Sequence, residues 1–140
     1  MHAQVAKEFR WEMGHRLPDH PLCKNVHGHS YRLVVEVEGD VGPDGMVVDF
    51  GEIARIVKPL IEKLDHAFAL DPGDDLMRGF LRDHGLRTVE LPFLSTAENL
   101  SGYFAEAVSL CLMERPGVRI VRTTVYETPT SSASAQVARK

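Results

Sequence analysis

The sequence predicts an α+β fold: an antiparallel β-sheet with two long helices packed on one face, in the order ββααββ. Three observations carry this. Two stretches near the N-terminus alternate apolar and polar residues with a period of two. Two later stretches place apolar residues at helical spacing behind capping signals. The strands and helices come in runs and do not alternate, and the first two strands are joined by a loop too poor in helix formers to be a crossover.

The first strand spans Val5 to Leu17, with Val5, Phe9, Trp11, Met13, His15 and Leu17 on one side and Lys7 as the exception. A loop with Pro18, Asp19, Pro21 and Asn25 follows. The second strand puts His29, Tyr31, Leu33, Val35 and Val37 on one side and ends at Gly39-Asp40. Gly42-Pro43-Asp44-Gly45 is a turn cluster and Met46-Val47-Val48 a short apolar run. Asp49 with Glu52 resembles a capping box and opens a helix whose face is Phe50, Ile53, Ala54, Val57, Leu60, Ile61 and Leu64. Pro59 is expected to kink or split it. Between Asp65 and Phe93 the pattern weakens, with a short helix expected at Leu76–Asp83 and an extended piece at Thr88–Leu91. A second long helix is expected from Ser95, with Glu98 at capping distance, and Pro116-Gly117 stops it. Val118–Glu127 and Ala133–Ala138 read as the last strands.

Residues 1–140 make one domain by length, and the 44% hydrophobic and 26% charged fractions are those of a soluble globular protein. No apolar run approaches the length needed to cross a bilayer, and MHAQVAKEFRWE has no apolar core of a signal peptide, so no membrane partner is expected. Two cysteines make no disulfide framework, and a cytoplasmic location is the default. A net charge of −4 argues against nucleic acid as a partner while leaving room for a local basic pocket.

Seven histidines are present, and each alone reads as an ordinary surface or core residue. Their placement changes this. If the first two strands pair antiparallel, His15 and His29 lie side by side, and His27 points the same way. Gly28 allows close backbone approach. Three imidazoles without a carboxylate suit Zn²⁺ with an open fourth position. Cys23 is open to three readings: a fourth ligand, an inert small residue, or a nucleophile or base with a lowered thiol pKa. Leu64-Asp65-His66 reads as a helix-end pair. Glu127, on the apolar side of its strand, is costly there without a donor, and strand-end exposure is the plain explanation.

Six motifs in order then resemble one family along nearly the whole chain: Phe9 with His15-Arg16-Leu17; C-x3-H-G-H-S-Y from Cys23; G-x-V-V-D-F from Gly45; Leu64-Asp65-His66; Thr96-Ala97-Glu98-Asn99; and Tyr126-Glu127-Thr128. The chain resembles the 6-pyruvoyl-tetrahydropterin synthase / 6-carboxytetrahydropterin synthase family. The resemblance implies the tunnelling fold (T-fold), assembled as homo-oligomeric rings, usually hexamers, with active sites at subunit interfaces. It implies His15, His27 and His29 as ligands of one Zn²⁺ per subunit and Cys23 as proton acceptor. His66, oriented by Asp65, becomes the acid/base partner, Glu127 the pterin anchor, and Thr96 a substrate-binding residue.

The three-residue gap between Cys23 and His27 resembles the bacterial 6-carboxytetrahydropterin synthase type. That type converts 7,8-dihydroneopterin triphosphate to 6-carboxytetrahydropterin, releasing acetaldehyde and triphosphate, on the way to queuosine. The alternatives are a pyruvoyl-forming synthase and, from another class, a non-catalytic zinc-stabilised pterin-binding protein. Arg16, Lys24 and Arg32 are candidates to hold the triphosphate. This chain departs from the family at Trp11–Gly14, at Ser95 in place of the usual proline, and in a long Ala69–Leu94 segment.

Overall fold

The computed structural model describes all of residues 1–140. Strand β1 (His2–His15) and β2 (His27–Asp40) form one long antiparallel ladder from His2↔Asp40 to His15↔His27. The odd residues Phe9, Trp11, Met13 and His15 of β1 are buried, as are Tyr31, Leu33, Val35 and Val37 of β2. The alternation therefore does set which face meets the helices. Strand β1 ends at His15, two residues short of the sequence expectation. Leu17 has already turned, its N–H donating to the Cys23 carbonyl at 2.7 Å.

Helix α1 (Phe50–Leu64) is continuous through Pro59, which therefore does not split it. Pro59 and Arg55 both lie on the exposed side, so the carbonyl that loses its intrahelical partner faces water. Ile53, Val57, Ile61 and Leu64 anchor the other side in the core. Asp49 caps the helix, accepting from the Gly51 N–H at 2.7 Å, while Glu52 pairs with Arg115 and does not close a capping box.

The segment after α1 holds more order than its sequence pattern suggests. It forms β3 (Ala67–Leu70), α2 (Asp75–Asp83) and β4 (Thr88–Glu90) before α3 (Ala97–Leu112), β5 (Val118–Thr128) and β6 (Ser131–Ala138). The sheet order is β4-β3-β1-β2-β5-β6. Its centre is antiparallel, as expected, but β3 runs parallel to β1 and β4 parallel to β3, so one edge makes the sheet mixed. The two long helices, α1 and α3, pack with the sheet's buried face through Ile53, Val57, Leu100, Phe104 and Val108. Trp11 stacks on Tyr31 with centroids 4.8 Å apart and meets the edge of Phe104 at 5.6 Å. Such aromatic pairs add roughly 0.5–1.5 kcal/mol beyond their area. Helix α2 buries Met77 and Leu81 in a separate small cluster with Leu70. No helix is long and apolar enough to cross a membrane.

Candidate metal centre and active site

The β1–β2 ladder ends in a histidine pair, His15 opposite His27, with His29 opposite Met13 two rungs inside. All three side chains lie on the helix-facing side, and their ring centroids are 4.7, 5.2 and 4.9 Å apart. One nitrogen from each lies within 4.8 Å of the others. Local bonds aim the rings. His15 Nδ1 meets the Ser95 carbonyl and Oγ, each at 3.1 Å, and His27 Nδ1 meets the Asn25 carbonyl at 2.7 Å. A carbonyl only accepts, so Nδ1 carries a proton in both, and in the buried His15, held as the neutral ring, Nε2 is left as a bare acceptor.

His15 Nε2 is fully buried and has no hydrogen-bond partner. An orphaned acceptor of this kind is costly unless something electron-deficient meets it. Burial, followed by the neighbouring His27 and His29, holds His15 down to about 4. Burial also lowers His29, with Glu127 acting against it. Neutral imidazoles are the ligand form, so the donor set fits a nitrogen-preferring divalent metal such as Zn²⁺.

Gly28 makes a close approach to β1: a Cβ there would come within 2.9 Å of the Met13 carbonyl oxygen. Cys23 is half-buried in the loop between the strands and forms no disulfide. Its N–H donates to His20 Nδ1 at 2.9 Å, and that nitrogen also accepts from the Leu22 N–H at 3.2 Å. The next residue's carbonyl, Lys24, accepts from Arg16 Nη1 at 3.2 Å. Glu127, near the end of β5, lies on the helix-facing side close enough for its charge to reach His29. Burial pushes the Tyr31 phenol up, and the charges of Glu127, Asp71 and Cys23 add to the effect. The Cys23 thiol and the Glu127 carboxylate thus share the electrostatic neighbourhood of the histidine corner. Thr96 is the true N-cap of α3, accepting from the Asn99 N–H at 3.2 Å, which moves the expected helix start one residue on from Ser95.

Asp65 and His66 stand elsewhere. His66 adopts a left-handed backbone (φ 60°) and its N–H donates to the Glu12 carbonyl at 2.7 Å. Asp65 Oδ1 accepts from the Glu12 N–H at 2.9 Å and lies 3.0 Å from His66 Nδ1. The Glu12 N–H, followed by His66, holds the Asp65 carboxyl below the usual carboxylate range. The imidazole is 74% exposed beside a cleft of about 390 Å³. The cleft is lined by Glu12, Gly14, Gly28 and Ser30, from strand positions that face away from the helices, and also by Met13, His29, His66 and Ala67. Within one chain His66 is not among the three converging imidazoles, although His29 lines the same cleft.

Arg16 gives two bonds of 2.8 Å to the buried Asp74 carboxylate. Arg32 pairs with Glu8 and lies over the Tyr126 ring. Of the three basic candidates for the triphosphate, Lys24 alone has a side chain with no acidic partner. Sequence reasoning overlooked Ser95, Asp71, Asp74 and His20. Ser95 had a visible signal, since it stands beside the Thr96 motif, but the acids lie in a segment with no pattern of its own.

A sheet of this topology, carrying three convergent histidines at one corner, defines a tunnelling-fold protein with a metal-competent centre. The chain belongs to the 6-pyruvoyl tetrahydropterin synthase family, whose sequence profile matches residues 4–137. It is 33% identical over 142 residues to the 6-carboxy-5,6,7,8-tetrahydropterin synthase of Haemophilus influenzae, covering 95% of this chain and 98% of that protein. It is 31% identical over 154 residues to the Aquifex aeolicus protein of the same name, covering 93% and 95%. Among solved structures, 6-pyruvoyl tetrahydropterin synthase from Plasmodium vivax superposes with a TM-score of 0.82 at 19% identity, covering 99% of both chains.

Proposed function

We propose that this protein is a cytoplasmic, zinc-dependent lyase. With water, it converts 7,8-dihydroneopterin triphosphate to 6-carboxy-5,6,7,8-tetrahydropterin, acetaldehyde and triphosphate, a step toward queuosine. The observation that carries this is the convergence of His15, His27 and His29 at one corner, with the Glu127 charge reaching His29 and those of Glu127 and Cys23 reaching the adjacent Tyr31. The names of the bacterial relatives support the carboxy-pterin product.

In this reading the three histidines hold Zn²⁺, which supplies Lewis acidity toward the substrate's side-chain oxygens. Glu127 accepts from the amino-pyrimidine edge of the pterin, the two-donor geometry a carboxylate suits. Cys23 takes a proton from the activated carbon, and Thr96 contacts substrate at the start of α3. His66, with Nδ1 held by Asp65, serves as acid/base partner through its outward nitrogen. Because it projects from the other side of the sheet, it serves the site of a neighbouring copy in a homo-oligomeric ring, a hexamer by family resemblance.

The test is product identification by mass spectrometry after incubating the zinc-loaded protein with dihydroneopterin triphosphate. A carboxy-pterin with stoichiometric acetaldehyde is expected. The family description favours a second reading, 6-pyruvoyl-tetrahydropterin formation, and a pyruvoyl product would establish it instead. Zinc and pterin binding without turnover would reduce the protein to a non-catalytic binder.

A further inference from the structure

Behind His15 lies a buried relay that none of the proposed catalytic roles uses. Asp71, directly after β3, is 1% exposed, and its Oδ1 accepts from the Ser95 N–H at 3.1 Å. Ser95 is fully buried, and its carbonyl and Oγ are the two acceptors for His15 Nδ1. Ser95 is thus gripped from both sides, by the acid through its N–H and by the imidazole through its oxygens. Asp71 Oδ2 has no partner, so the carboxylate is oriented by Ser95 alone. Alongside, Asp74 holds Arg16, the residue after His15, with two hydrogen bonds. Both acids come from the β3–α2–β4 region, the long segment whose purpose the sequence leaves open.

We propose that Asp71 and Ser95 are positioning residues for the metal centre: they fix His15 as its Nδ1–H tautomer and aim the bare Nε2 at His27 and His29. The β3–α2–β4 segment is then a buttress that tunes metal affinity from behind. This rests on the metal reading of the three histidines. The chemistry is general: a ligating imidazole is oriented by the acceptor on its other nitrogen, and loss of that partner weakens metal binding roughly 10–100-fold. A purely structural Asp71 would affect folding stability and leave both tautomer and affinity alone.

The experiment compares Asp71→Ala, Asp71→Asn, Ser95→Ala and His27→Ala with the unmodified protein. Zinc affinity is measured by competition with a chromophoric chelator, and the His15 tautomer by ¹⁵N NMR of the ring nitrogens in metal-free protein at neutral pH. The unmodified protein is expected to show a protonated Nδ1 and a bare Nε2. Asp71→Ala is expected to mix the tautomers and to weaken zinc roughly 10–100-fold. Asp71→Asn recovers most of the affinity, because its amide oxygen accepts the same N–H. Ser95→Ala keeps the carbonyl and loses the hydroxyl, and it weakens zinc less than Asp71→Ala does. Folded Asp71→Ala with unchanged tautomer and affinity overturns the proposal. If Asp71→Ala does not fold, Ser95→Ala decides by affinity: its carbonyl still holds the tautomer, so zinc affinity unchanged on loss of the hydroxyl overturns the proposal. Wild-type zinc binding by His27→Ala would instead bring down the metal reading, a separate result.

Discussion

His15 and His27 are direct cross-strand partners at the last rung of the β1–β2 ladder, with imidazole centroids 4.7 Å apart. Two imidazoles so placed, one of them almost wholly buried, gain little from each other. The third at His29 gives the pair a common focus.

Removing any one imidazole leaves two donors, too few for a stable zinc site. Zinc per chain, measured by plasma mass spectrometry after gel filtration, is expected to fall to background in His15→Ala, His27→Ala and His29→Ala. Cys23→Ala is expected to keep zinc near one per chain and lose turnover. Loss of zinc in Cys23→Ala would make the cysteine a fourth ligand in a closed site.

Acid should destabilise the metal-free protein through His15. Its folded pKa is lowered to about 4 while the unfolded side chain titrates near its ordinary value of 6.5. Between those values the unfolded chain binds the extra proton, so stability is complete above 6.5 and falls as pH drops toward 4, by about 3 kcal/mol in all. His29, lowered for the same leading reason, adds in the same direction. Asp71, whose carboxyl burial raises, runs the other way. Urea midpoints at neutral pH and pH 4.5 measure the fall, and His15→Ala should flatten it.

The His20 ring accepts the N–H groups of both Leu22 and Cys23, a role only a neutral ring nitrogen can fill there. His20→Ala is expected to loosen the loop, lowering turnover while zinc content holds. In a Cys111→Ser background, alkylation of Cys23 should become faster. Unchanged alkylation and turnover would show that Arg16 and the Leu17 N–H suffice to shape the loop.

Gly39 sits where the β2–β5 register shifts, and a Cβ there would come 2.2 Å from the Gly117 carbonyl oxygen. Backbone must move to admit it, so Gly39→Ala is expected to destabilise by roughly 1–3 kcal/mol, the usual range for overpacking. Thermal unfolding measures this, and zinc content should be unaffected because the centre lies at the ladder's other end.

The sequence by itself determined the part of this protein that rests on short-range periodicity. Alternation through β1 and β2 placed His15, His27 and His29 on the same face as Trp11 and Tyr31, because a strand's side-chain period is two whatever the rest of the chain does. Helical spacing and caps likewise determined α1 and α3. Pro59 was misread as a break because its cost depends on which side of the helix meets water, a tertiary fact. The four-residue β3 is too short to carry a pattern, and although β4 read as extended, the parallel pairing of both comes from distant partners. Tertiary structure alone decided that Asp71 and Ser95, 24 residues apart, meet behind His15. It also left His66 outside the group of His15, His27 and His29. Burial and non-local hydrogen bonds make those choices, and neither is written in the spacing of residues along the chain.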